Sequence, residues 1–258
     1  MKFAAQVEYI GTQYHGWQRQ QAGVVTVQDK VEQALSKVAN APITVKCAGR
    51  TDTGVHALGQ VIHFDTDVVR KPHNWRMGCN FFLPDDIRLI WVHPVEDDFH
   101  ARFSALERSY QYCIDNRAVS SVLLMQNHTW IYGKLDEVAM HAAGQYLMGK
   151  HDFTSYRAIK CQAHTPIREI THLSVYREGD RVLMDITANA FLHHMVRNIM
   201  GVLLEIGWGK KPPEWAEQVL HARDRTQAGV TAEPTGLRLT KVGYPSHFNL
   251  PNEVSYST

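Results

Sequence analysis

The sequence predicts a mixed α/β (α+β) fold, with two similar halves of mostly antiparallel sheet, helices packed on one side, and a cleft between the halves holding the reactive groups. Two observations carry this expectation. Strand-like and helix-like patterns run in nearly the same order twice, strand-helix-strand-strand-helix-strand and then strand-helix-strand-strand-helix-helix-strand. Within the second set, the runs Ile167 to Tyr176 and Arg181 to Ala188 are joined by Arg177-Glu178-Gly179-Asp180, which reads as a hairpin turn. No internal repeat of sequence accompanies this repeat of pattern. At 258 residues the chain can form one large domain or two small ones and bury a substantial core. The boundary is expected near Phe103 to Ser109. That gives an N-terminal half over 1–105, a C-terminal half over 106–245, and a loosely held tail over 246–258.

The elements follow in order. Lys2 to Ile10 reads as a strand, and Gly11 to Val25 as a polar loop punctuated by glycine. In that loop Tyr14, His15, Trp17, Gln18 and Arg19 mix aromatic and basic groups. Such a mixture suits stacking on bases and touching phosphates, and it equally suits aromatics that pack back on a core. Thr26 with Asp29 resembles a helix cap, after which Val27, Val31, Ala34, Leu35 and Val38 keep helical spacing. Ile43 to Ala48 and Gln60 to Asp65 are short strands. Pro72 fits the first turn of a helix running to about Cys79, and Ile87 to Val95 reads as a buried strand. After the polar stretch Glu96 to Leu106, Ser109 to Asp115 opens the second set. Leu135, Val138, Ala139, Ala142, Tyr146 and Leu147 mark an amphipathic helix, followed by the hairpin. His193 to Ile206 is the most apolar helix, ended by the glycines and prolines of Gly207 to Pro213. Glu214 to Ala222 is a further helix and Leu237 to Val242 a closing strand.

Composition excludes several classes. Hydrophobic residues at 44% and charged residues at 21% are ordinary for a soluble globular protein, and no apolar run approaches a membrane span. Met1-Lys2-Phe3 passes straight into a strand pattern, so no signal or transit segment is expected. Cys47, Cys79, Cys113 and Cys161 lie too far apart for a zinc ribbon or a redox pair, and reduced thiols in a cytoplasm are the simplest expectation. The net charge of +1 does not announce a polyanion partner, although a local basic cleft binds phosphate whatever the total. The 15 histidines would add positive charge as pH falls toward 6.5.

The most informative stretch is Ala48-Gly49-Arg50-Thr51-Asp52-Thr53-Gly54-Val55-His56-Ala57. It sets one carboxylate between two glycines at a strand exit, where a scaffold commonly presents reactive groups. Arg50 can hold Asp52 bidentately, and a fixed carboxylate can act as nucleophile or general base. Asp beside Thr and Gly also commonly closes an Asx-type turn, and the local pattern alone does not separate the two roles. The stretch lacks the P-loop lysine, and the Rossmann fingerprint is absent. His193 and His194 are adjacent, so on a helix they would point about 100° apart and not share a metal. With no H-E-x-x-H, no metal is expected. Arg197 falls among the apolar positions of the same helix, one turn after His193. Such a charge needs a partner, for which Asp52 is a candidate, or else snorkels to water. Tyr110 and Tyr112 share one strand face, either as core or as a ring stacked on a flat base.

Taken together, Tyr9-Ile10-Gly11-Thr12-Gln13-Tyr14-His15-Gly16-Trp17-Gln18, the Asp52 stretch, Tyr110-Gln111-Tyr112, His151-Asp152-Phe153-Thr154-Ser155-Tyr156 and Phe191-Leu192-His193-His194-Met195-Val196-Arg197-Asn198 resemble the tRNA pseudouridine synthase I family. The motifs occur in the family's order from residue 9 to 198. The resemblance implies isomerisation of uridine at positions 38, 39 and 40 of the tRNA anticodon stem-loop, with no cofactor and no metal, by a homodimer. It makes Asp52 the nucleophile, Arg50 the motif arginine, Arg197 the arginine pairing with the aspartate, and Tyr110 the base-contacting tyrosine. Beside these, the loop residues Tyr14, His15, Trp17 and Arg19, from their aromatic and basic make-up, and His56 are expected as further substrate contacts. Ser109, where relatives often carry arginine, and Arg238, where an aromatic is common, depart from the pattern. The rival readings are an RNA-binding protein without catalysis and a histidine-dependent metal hydrolase.

Overall fold

The computed structural model describes residues 1–251 apart from Ala22 and Lys160. The chain divides into two compact units. One contains Met1–Thr53, Ala57–Leu106 and the chain from Val242 onward, and the other Gly54–His56 and Glu107–Lys241. The units are therefore not two consecutive segments, because the last part of the chain returns to the first unit.

In the first unit, β1 (Lys2–Tyr9) is the middle strand. It pairs antiparallel with β3 (His56–Asp65) on one side and with β4 (Ile87–Val95) on the other, and the short β2 (Lys46–Cys47) adds to β3. A middle strand covered by helices is buried over most of its length, and in β1 Phe3, Ala4, Ala5, Val7 and Tyr9 are all buried. The helices are α1 (Val27–Ala39) and α2 (Pro72–Phe82). The cap of α1 forms as its sequence suggests, with Asp29 N–H donating to Thr26 Oγ1 at 3.3 Å. Phe3, Phe64 and Trp75 make an aromatic cluster with centroids 5.3–6.1 Å apart, which fixes α2 to the sheet. The expectation of a loose tail from Ser246 is corrected in part. Phe248 is buried edge-on against Phe99 at 5.0 Å, because an aromatic side chain gains more by burial than this short segment loses in freedom. Residues 252–258 of that tail lie outside the described residues.

In the second unit the strands are β5 (Glu107–Asp115), β6 (Thr129–Trp130), β7 (Gly149–Asp152), β8 (Ile167–Glu178), β9 (Arg181–Ala188) and β10 (Leu237–Gly243), the last two residues of β10 belonging to the first unit. They lie in the order β10-β5-β9-β8-β7, with β6 parallel to β5. The hairpin read from the sequence is β8–β9, closed from Glu178 to Arg181 with Gly179 at φ 59°. Helices α3 (Glu137–Gln145), α4 (Met195–Gly207) and α5 (Trp215–Ala222) pack on one another, and α3 packs on β8. The fold is thus mixed α/β with mostly antiparallel strands. Among the described residues no helix is long and apolar enough to cross a membrane.

Four histidines depart from the expected behaviour. In the first unit His63 is buried, its Nδ1 accepts the Ala101 N–H at 3.1 Å, and its ring lies 4.6 Å from that of His100. Burial, then His100 and Lys2, push its pKa from 6.5 down to about 4, against the attraction of Asp65. His56, His100 and His128 are also shifted down, chiefly by burial. Between pH 6.5 and 4 the unfolded chain therefore binds protons that folded His63 refuses, and stability falls as pH falls through that window. After allowance for solvent screening the loss from His63 is about 2 kcal/mol. The melting temperature measured from pH 7 to pH 4 should drop steeply, and the drop should become shallower in His63→Asn, whose amide oxygen keeps the acceptor without titrating. An unchanged slope would remove His63 as a contributor.

Candidate active site

Asp52 is carried on a loop that leaves β2 and is braced by backbone and side-chain contacts of the first unit. On its entering side, Gln60 is wholly buried in β3. Its Nε2 donates to the Gly49 carbonyl at 2.6 Å, while its Oε1 accepts from Gly49 N–H at 3.4 Å. On the far side the hydroxyls of Thr51 and Tyr9 are 2.8 Å apart, and Trp17 N–H donates to the Thr51 carbonyl at 3.0 Å. The register of β1 against β3 slips between Val7 and Tyr9, at the end of the strand where Tyr9 reaches this loop. Gly16 closes the brace. It has φ 82°, and a Cβ there would lie 2.7 Å from the Thr51 oxygen and 3.1 Å from the Asp52 carbonyl carbon. Asp52 itself is half-buried, and Arg50 is exposed.

This geometry changes the reading of the Tyr9-to-Gln18 motif. Tyr14 is only 5% exposed, and its hydroxyl donates to Asp86 at 2.6 Å. Trp17 is 1% exposed and packs on Tyr9 with centroids 5.8 Å apart. Engaged with Asp86 and with Tyr9, Tyr14 and Trp17 hold the loop, a role that departs from the substrate contacts expected of them. Tyr9, Gly16, Thr51 and Gln60 were missed by the sequence reading as site residues. Gly16 carried a usable signal, since a glycine between two aromatic residues marks a backbone that must turn or approach another closely. His15 remains exposed. Arg19 is half-exposed and paired with Asp29 at 2.5 Å and with Glu32, so its charge is largely spent on α1.

In the second unit, His56 is 5% exposed, and its Nε2–H donates to the Thr235 carbonyl at 2.9 Å. Burial lowers its pKa, and with Nε2–H given to Thr235 the ring departs from the substrate contact expected of it. Tyr110 is 8% exposed and meets Phe191 edge-on at 5.1 Å, which fixes the ring. Arg197 is half-buried, with Nε donating to the Ala232 carbonyl at 2.7 Å. The helix bearing it starts at Met195 rather than His193, and His194 takes a left-handed conformation at φ 62°. The argument that the two histidines point about 100° apart on a helix therefore fails; their rings lie 4.0 Å from each other. The departures are absorbed into β5: Ser109 Oγ lies 2.8 Å from Thr187 Oγ1, and Arg238 Nε donates to Gln111 Oε1 at 3.1 Å. The cysteines are free, and burial pushes Cys47 and Cys113 up to about 11 and Cys79 to about 12, so these thiols stay protonated and unreactive.

A half-buried carboxylate with its backbone clamped on both sides, and an arginine side chain tied to a carbonyl, are parts suited to nucleophilic or acid–base chemistry. Comparison with known proteins bears on which chemistry. A family profile described as tRNA pseudouridine synthase matches residues 5–104 and 143–245. The matched segments include Asp52 and Arg197, while Tyr110 falls between them. The chain is 54% identical over 251 residues to the tRNA pseudouridine synthase A of Shewanella piezotolerans, covering 97% of this chain and 96% of that one. It is 54% identical over 253 residues to that of Vibrio vulnificus, covering 98% and 96%. With the tRNA pseudouridine synthase A of Pseudoalteromonas atlantica the identity is 53% over 251 residues, covering 97% and 95%. Identity at that level, sustained almost end to end, means that the chain belongs to the tRNA pseudouridine synthase family.

Proposed function

We propose that this protein isomerises uridine to pseudouridine at positions 38, 39 and 40 of the tRNA anticodon stem-loop, with Asp52 as nucleophile. The observation that carries the reading is the braced, half-buried Asp52 loop lying inside the segment matched to the family. The reaction breaks the bond between C1′ and N1, turns the uracil, and joins C5 to C1′, while the C5 proton leaves and N1 takes up a proton. Atoms balance without any oxidant or reductant. A carboxylate attacking C1′ or ring C6 serves either route. The target nucleotide must first leave its stack, at a cost of a few kcal/mol that contact with the fixed Tyr110 ring partly offsets. Arg197 holds the carboxylate, and Arg50, exposed beside it in sequence, meets the incoming phosphate-rich substrate. His15 and the free part of Arg19 are the remaining loop contacts.

The protein acts on this reading as a cytoplasmic homodimer without cofactor or metal; sedimentation of the purified protein reads the first, and activity surviving exhaustive chelation the last. The deciding experiment uses tRNA labelled with tritium at C5 of uridine. Formation of pseudouridine must release tritium to water. Folded protein that releases none from any tRNA does not perform this reaction.

A further inference from the structure

The guanidinium of Arg197 is directed by a segment distant in sequence. Ala232 carbonyl accepts from Arg197 Nε at 2.7 Å, and Ala232 N–H donates to the Arg197 carbonyl at 3.1 Å. Residue 232 therefore grips both the backbone and the side chain of residue 197. The stretch 229–232 in turn lies directly on α4. A Cβ on Gly201 would be 1.9 Å from the Val230 oxygen, and one on Gly229 would be 2.6 Å from the Gly201 oxygen, so backbone touches backbone there.

Beside Arg197, Asn198 is wholly buried. Its Nδ2 donates to the Tyr156 carbonyl at 2.8 Å, and its Oδ1 accepts from Thr231 Oγ1 at 2.7 Å and from Arg225 Nη2 at 3.1 Å. Arg225 Nη2 also donates to Thr231 Oγ1 at 3.0 Å. This triangle ends one residue from Arg197 on the helix and one residue from Ala232 on the strap. A hydrogen-bonded cluster of this kind, anchored on the wholly buried Asn198, defines one arrangement of the elements it joins.

We propose that Asn198, Thr231 and Arg225 are positioning residues for Arg197, clamping the 229–232 strap onto α4 so that the Ala232 carbonyl sets the direction of the guanidinium. The proposal rests on the reading of Arg197 as the holder of the catalytic carboxylate. Loss of the Thr231 hydroxyl removes a half-buried link with little change of side-chain shape. The strap then loosens, and Arg197 loses its fixed orientation while the core of the unit stays intact.

The test is a double-mutant cycle on the full-length protein, reading the single-turnover rate of pseudouridine formation, tRNA affinity and melting temperature. Arg197→Ala should slow the reaction roughly a hundredfold. Thr231→Val should slow it about tenfold, leave tRNA affinity within about twofold, and Thr231→Ser should restore the rate, since the hydroxyl returns. Combined with Arg197→Ala, Thr231→Val should cost nothing further. If it costs the same factor in both backgrounds, the cluster is merely structural and the proposal is overturned, while the reading of Arg197 stands. If Arg197→Ala keeps the full rate, that reading falls and takes the proposal with it. Should Thr231→Val not fold, Arg225→Gln enters the same cycle with the same two outcomes.

Discussion

Replacing Asp52 by Asn should abolish pseudouridine formation, lowering the single-turnover rate by roughly three orders of magnitude or more, while tRNA still binds. The amide keeps the size of the carboxylate but loses its charge and its nucleophilicity. The brace of the loop does not depend on that carboxylate. Gln60 clamps the backbone of Gly49, Tyr9 meets Thr51, Trp17 holds the Thr51 carbonyl, and Gly16 abuts the backbone of residues 51 to 53. The variant should therefore keep its fold, and a gel-shift affinity for tRNA within a few-fold of the parent is expected. This outcome separates catalysis from binding, which is where the enzyme reading and the RNA-binding rival part. Tritium release at the parent rate by Asp52→Asn would mean that the loop's chemistry lies elsewhere.

The parts of this site that were legible in the sequence are those written in local pattern. Thr26 and Asp29 announced the start of α1, Pro72 that of α2, and the apolar period marked the body of α4, because a cap or a helical face is a property of neighbouring residues. The Asp52 loop was legible as a glycine-flanked turn, and only the ordered set of distant motifs gave it a chemical meaning. What failed was orientation. Tyr14 and Trp17 read the same in sequence whether a loop shows them to solvent or folds them inward, and the choice depends on Tyr9 and Asp86, which approach through the sheet. The start of α4 was misplaced because His194 adopts a left-handed conformation that its residue type does not advertise. Short strands such as β6 and β7 carry too few residues for a period to show. The Asn198 cluster left no signal at all, since the partners of Asn198 lie 27 to 42 residues from it along the chain and meet it only once α4 has docked.

Gly201→Ala sets two effects of opposite sign against each other at the same place. Within a helix, alanine is favoured over glycine by about 1 kcal/mol, so on propensity alone the change in α4 stabilises. The added Cβ, however, would stand 1.9 Å from the Val230 carbonyl oxygen, far inside the contact distance of carbon and oxygen. That oxygen belongs to the strap backbone and cannot turn aside like the end of a flexible side chain. The strap must move outward by more than 1 Å, an amount that follows from ordinary contact distances of about 3.2 Å or more between such atoms. Moving it stretches both bonds between Arg197 and Ala232, each worth about 1 kcal/mol, and adds the overpacking strain of a buried site. The sum should exceed the gain in propensity, leaving a net loss of about 2–4 kcal/mol and a melting temperature lower by roughly 5–10 °C. The same displacement reaches the Arg197 guanidinium, so the reaction should slow even at temperatures where the variant is fully folded. A melting temperature raised by the substitution would show that the strap yields freely, and a backbone that yields freely could not hold Arg197 in place.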